Sequence, residues 1–141
     1  MASGPCSYAG TTFNDAGPYF NIVMSFTDNG VVTIVHEHHP NEPTDQRVDT
    51  PAQGSYCIEK NSKCSTHWHG VAIGFSTNET IPITNYVVRY DFTESKFSKK
   101  FDKVKGSVNI TFYSLLSDAL NKSNPLGSGE FGFTAVLIPT H

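Results

Sequence analysis

The chain has no apolar run of the roughly 18 residues that a membrane-spanning helix needs, so no membrane span is expected. Charge is sparse too. Charged residues make up 16% of the sequence and the formal net charge is −3, with a sequence pI near 6.0. That balance lacks the basic excess of a nucleic-acid partner and offers no bulk attraction to an acidic membrane surface. No Gly-rich phosphate loop, nucleophile elbow or paired-carboxylate signature occurs. Heptads, solenoid periods and low-complexity tracts are also missing. The opening Met-Ala-Ser-Gly-Pro-Cys has no basic region followed by an apolar core, so it is not expected to be an intact secretory signal.

Cysteine is scarce, with three in the chain. Cys57 and Cys64 flank the polar segment 58–63. A hairpin about Lys60-Asn61 would set them opposite each other, and a disulfide would follow if the Cα atoms came within about 7 Å. Two reduced cysteines packed as small apolar side chains fit the same sequence. Cys6 would stay free. Three N-x-S/T sequons begin at Asn78, Asn109 and Asn121. With a disulfide they would fit a secreted product in an oxidising compartment.

What the chain does have is aromatic and β-branched residues, including 10 Phe and 6 Tyr, which favour sheet. Its 141 residues suit one domain with a real core. Residues 1–18, rich in Gly, Ser, Thr, Pro and Asn, read as an irregular leader, and residues 19–141 as the folded domain. From Tyr19, the residues Phe20, Ile22, Met24 and Phe26 alternate with Asn21, Val23, Ser25 and Thr27, a strand period. Asp28-Asn29-Gly30 supplies a tight turn. Val31–His39 returns, and Pro40 ends it. Residues 40–51 hold Pro40, Pro43 and Pro51 and read as a long surface loop of the kind that gates a site. Further strands are expected over 54–59, 64–75, 84–93, 97–113 (bent at Gly106) and 131–139, with one helical hint at Leu115–Leu120. About eight antiparallel strands joined by short turns point to a meander closed into a barrel, which leaves no open edge. Such a barrel is just wide enough for one small ligand.

Half of the basic residues fall at Lys96, Lys99, Lys100, Lys103 and Lys105. Two readings fit them: an anion or phosphate patch, or a strand edge protected from aggregation.

Three segments carry a family resemblance: Phe26-Thr27-Asp28-Asn29-Gly30-Val31, Thr50-Pro51-Ala52-Gln53-Gly54-Ser55-Tyr56, and Thr66-His67-Trp68-His69-Gly70. In this order they resemble small calycin-like (lipocalin-like) barrel proteins, over roughly residues 20–138. The resemblance implies an all-β, single antiparallel barrel with a cavity. It implies no particular substrate, because fold does not fix function. A second, partial resemblance is to cupins. Gly30, five residues, His36-x-His38, three residues, Glu42 matches the first cupin metal motif, but Glu42 is followed by Pro43 and no second motif appears.

Five of the six histidines form two clusters, His36-Glu37-His38-His39 and His67-Trp68-His69. Residues two apart share a strand face. His36 and His38 continue the face of Val32 and Ile34. His67 and His69 share a face with Val71, Ile73 and Phe75, opposite Trp68, Gly70 and Ala72. The bulky apolar face is expected inside. The four imidazoles of His36, His38, His67 and His69 would then converge and hold a divalent transition metal, with Glu37, Glu42 or Asp91 as carboxylate partner. The competing reading puts them at strand ends in water.

As a binding cup, the barrel would take a small, largely apolar molecule as its partner. Tyr56, Trp68, Tyr86, Arg89 and Phe75 are the candidate ligand-binding residues, with Tyr86, Arg89 and the histidines as polar anchors. Assembly of identical copies is compatible with the sequence. A cavity-type isomerase or cyclase, using a His, Tyr or Asp as acid or base, is the catalytic alternative.

Overall fold

The computed structural model describes residues 6–37, 47–59, 66–79 and 82–139. In these residues the chain forms β1 (Cys6–Asn14), β2 (Gly17–Phe26), β3 (Val31–His36), β4 (Arg47–Asp49), β5 (Ala52–Ile58), β6 (His67–Asn78), β7 (Thr84–Phe97), β8 (Lys103–Tyr113), α1 (Leu116–Asn121) and β9 (Gly127–Leu137). Eight strands close an antiparallel barrel. Each pairs with its neighbours in the order β1-β2-β3-β5-β6-β7-β8-β9, and β9 returns to β1. The short β4 pairs with residues 76–78 of β6, beyond the reach of β5.

Local chemistry sets the turns. Gly30 has φ of 90°, a left-handed conformation that glycine adopts without a Cβ penalty, and its N–H donates to the Thr27 carbonyl at 3.2 Å. Thr27 Oγ1 accepts the Val31 N–H at 3.0 Å, which locks the β2–β3 hairpin.

The barrel interior is a stack of rings at one end. Trp68 is fully buried and lies 5.1 Å from Phe26, 5.5 Å from Phe92 and 5.8 Å from Phe97, centroid to centroid. Tyr8 packs on Phe26 and Phe97 at 5.7 and 5.8 Å. Ring pairs at these distances add about 0.5–1.5 kcal/mol each beyond area burial. This end is closed.

The phenols at the closed end carry a pH signature. Tyr8 Oη donates to the Phe101 carbonyl at 2.8 Å. Burial, the largest cause, and then nearby Cys6, Tyr56 and Asp102 push its pKa up to about 12. Burial also raises Tyr56, whose Oη donates to the Thr27 carbonyl at 2.5 Å. A phenol whose folded pKa exceeds its unfolded value contributes stability below the unfolded pKa and loses it as pH climbs through the folded one. Stability is therefore expected to fall between pH 10 and 12. Urea unfolding at pH 9 and 11 measures this, and Tyr8→Phe should flatten the difference.

Several expectations need correction. Residues 6–14 are not leader but β1, hydrogen-bonded to both β2 and β9. Without them the barrel would not close, and closure outweighs a Gly- and Thr-rich composition. Glu94–Lys96 does not end a strand but forms an irregularity inside β7. Segment 127–130 is strand rather than loop. β7 and β8 are paired on both sides, so their lysines guard no edge. The meander also departs from the Greek-key jelly roll of cupins. Cys57 is a free, exposed thiol among the described residues, and the expected Cys57–Cys64 pairing rests on a partner outside them. Cys64 itself, with His38, His39, Glu42 and most of the long loop, lies outside the described residues.

Candidate functional site

Among the described residues, the end opposite the ring stack is open. There β2 begins, β3 ends, β8 ends and β9 begins. A cavity of about 280 Å³ opens at this mouth, at the small end of the roughly 300–1,000 Å³ typical of ligand sites. Its walls include Phe20, Val88, Tyr90, Ile110, Phe112 and Phe131, with Glu37 and Asp49 among the polar members. Phe20 and Phe131 stand 5.9 Å apart, and Tyr19 packs on both at 5.7 and 4.9 Å. Among the described residues the lining carries Glu37 and Asp49 and no lysine or arginine, and the Glu37 charge disfavours an anion there.

His36 is the polar centre of this cavity. It is the last residue of β3, half-buried, and its ring lies 4.5 Å from that of Phe20. Its Nδ1 is 2.9 Å from the Glu37 carbonyl oxygen. A carbonyl only accepts, so Nδ1 carries the proton. In the neutral ring Nε2 is then an acceptor, and it receives the Tyr90 hydroxyl at 2.6 Å. Glu37 is tied back, its Oε1 accepting the Asn21 N–H at 3.1 Å. A His–Tyr pair fixed in one tautomer thus faces an aromatic chamber.

The other expected site residues are placed elsewhere. Tyr56 and Trp68 point inward but belong to the closed end. Tyr86 is half-buried and packs edge-on at 6.1 Å against Phe112, outside the lining. Phe75 is 48% exposed on the outer face. Arg89 is also on the outer face, under α1. Its Nη1 donates to the carbonyls of Ala119 at 2.8 Å and Leu120 at 3.2 Å. Its Nε contacts both oxygens of Asp91 at 3.1 Å. Arg89 holds a helix end and does not reach the cavity.

Among the described residues the histidines do not converge. His36 is inside, while His67 and His69 are exposed on the outside of β6, with His69 Nδ1 at 3.7 Å from Glu59 Oε1. Among the described residues no three His, Cys, Asp or Glu side chains gather as metal ligands. Asp91 is occupied by Arg89 and Lys122. The face assignment fails on β6 for a physical reason. An eight-stranded barrel has little interior volume, and beside the rings β6 contributes Gly70, Ala72, Gly74 and Ser76. Its bulkier Ile73 packs outside against Val87, Tyr113 and Ala119, beneath α1.

Sequence reading misses Asp49 and Phe131 as site members and takes Glu37 only as a carboxylate partner for a metal. Tyr90 is legible as one of the aromatic residues able to line a cavity, since it shares the Val88 and Phe92 face of β7. The others reach the mouth only through barrel curvature. Set against protein-family models, curated proteins and solved structures, the chain matches none.

Proposed function

We propose that this barrel is a cup for a small, largely apolar molecule, held in the mouth cavity with one polar group on the His36–Tyr90 pair. The observation carrying this reading is the half-filled interior. Rings pack one end solid, yet Phe20, Phe112 and Phe131 line space at the other. Collapse of an aromatic core normally leaves few voids, and an apolar chamber with a few fixed polar groups is the usual form of a ligand site. The Glu37 carboxylate at the mouth disfavours an anionic guest.

Native against denaturing mass spectrometry of the purified chain, with binding of a neutral naphthalene dye, tests the reading. An organic mass excess or saturable dye binding is expected. Ser128 is exposed at the rim, so Ser128→Trp should close the mouth and reduce dye affinity at least about tenfold without loss of fold. Tyr90→Phe should cost a hydrogen-bonding guest about 0.5–1.5 kcal/mol. An anionic dye of the same size should bind more weakly than the neutral one. A bare mass with no dye binding would sink the proposal and leave a barrel whose cavity has no guest.

The His36–Tyr90 contact also favours a second reading, a cavity isomerase, because a hydrogen-bonded imidazole and phenol can pass a proton to and from a bound guest. Recovery of the guest in a rearranged form, lost in Tyr90→Phe, is the outcome that separates it from a carrier.

A further inference from the structure

We propose a second binding site on the outer wall at the closed end, built by Lys96, Lys103 and Lys105, for a compact oxyanion of the polyphosphate or phosphate-ester class. It is independent of the mouth cavity. Lys96 on β7 and Lys105 on β8 are direct register partners, and like charges directly opposite on paired strands repel. His67 on β6 is the partner of Lys96 on the other side, and Lys103 shares the outer face two residues before Lys105. Lys96, Lys103 and Lys105 surround a depression of about 270 Å³ with Ser98 and Thr134.

The chain reaches this arrangement through backbone strain. Along β7 the inward series Val88, Tyr90, Phe92 would, unbroken, bring Glu94 and Lys96 inside. Instead Glu94 adopts φ of 50°, costly for a non-glycine residue. The register shifts between Thr93 and Lys96. Ser95 and Phe97 turn inward and Lys96 turns out beside Lys105. Gly106 permits the bulge, because a Cβ there would lie 2.3 Å from Ser95 Oγ. Bulges of this kind re-aim side chains.

Among the described residues Lys96, Lys103 and Lys105 make no ion pair. The ion pairs among the described residues join His69 to Glu59, and Arg89 and Lys122 to Asp91. Asp102 accepts the Ser98 hydroxyl at 2.6 Å, and that hydrogen bond, with the charges of Lys103 and Lys100, holds its carboxyl below the usual carboxylate range, so Asp102 partly offsets Lys103. Glu94 lines the adjoining depression with Lys96 and Lys105. Lys99 and Lys100 at the exposed turn extend the positive field. In a chain of net charge −3, the mutual repulsion of the directly opposed Lys96 and Lys105 is relieved by an anion bridging them.

The test is isothermal titration of the full chain with sodium tripolyphosphate at low salt, alongside Lys96→Thr, Lys105→Thr and, as control, Lys122→Thr. Saturable binding is expected, weaker by about tenfold in either of the first two variants and unchanged in the control. Without tripolyphosphate, Lys105→Thr should melt at or above the parent temperature, since a repulsion is removed. With it, the parent should be the more stable. Sedimentation with phosphatidylcholine vesicles containing phosphatidylinositol bisphosphate distinguishes the source. Tighter, lysine-dependent binding there assigns the ester to a lipid headgroup, and tripolyphosphate binding alone assigns it to a soluble ester. Binding in neither medium, or binding indifferent to Lys96 and Lys105, overturns the proposal.

Discussion

Trp68→Ala is expected to destabilise the chain by about 3–5 kcal/mol, the usual cost of removing a large buried ring. Trp68 is fully buried and touches Phe26, Phe92, Phe97 and Phe133 at centroid distances of 5.1 to 6.2 Å. Its removal leaves a cavity lined by rigid rings on strands that the closed barrel holds in place, so little collapse can offset the loss. Against a total stability of about 5–15 kcal/mol, that is a large fraction. Trp68→Phe separates packing from polarity. Trp68 Nε1 finds no acceptor among the described residues, and an unmet buried donor itself costs about 1–3 kcal/mol. Phenylalanine drops that donor while keeping a ring. Its cost should therefore be well below that of alanine, about 1–2 kcal/mol. Urea denaturation of the three proteins measures this, and equal losses for Phe and Ala would contradict the ring-packing account. The mouth cavity should keep its affinity for a neutral dye in the Phe variant, since Trp68 is not part of its wall.

Arg89→Ala is expected to cost about 3–5 kcal/mol, the range for breaking a buried ion pair from one side. The Arg89 and Asp91 side chains are only 11% and 16% exposed. Truncation strands Asp91 with the more distant Lys122, at 3.7 Å, and frees the carbonyls of Ala119 and Leu120. The six residues of α1 are too few to persist alone, so the helix should lose its order with the arginine. Hydrogen exchange would show this as faster exchange of the Ala119 amide, which donates to the Leu115 carbonyl at 3.1 Å. Arg89→Lys should recover little, because one ammonium cannot reproduce a fork that meets the carboxylate and two carbonyls together. Full stability in Arg89→Lys would show that charge alone suffices there.

Much of the barrel was legible because its signals are local. Phe20, Ile22, Met24 and Phe26 announce a strand by alternation, and all four are buried. Asp28-Asn29-Gly30 announces its turn through the φ that glycine tolerates. β1 was missed because Gly10, Thr11 and Thr12 carry weak strand signals and gain their ladder only from β2 and β9, the latter more than 120 residues away in sequence. Of the candidate site, His36 was legible as an inward residue on the Val32 and Ile34 face. Arg89 misled because a buried arginine in a strand looks the same whether it faces a ligand or a helix end.

An all-β chain, the positions of most strands and turns, and an aromatic core are all readable from the residues alone. These follow from period-2 patterning and turn chemistry, which act over a few residues. Which face of each strand becomes the inside is set by the closed fold. Alternation defines two faces and labels neither. The label comes from closure, from the small volume within eight strands, from α1 covering Ile73 and Val87 outside, and from the bulge that turns Lys96 out and Phe97 in. Those same long-range constraints place His36 against Tyr90 across the mouth, and His67 and His69 in water.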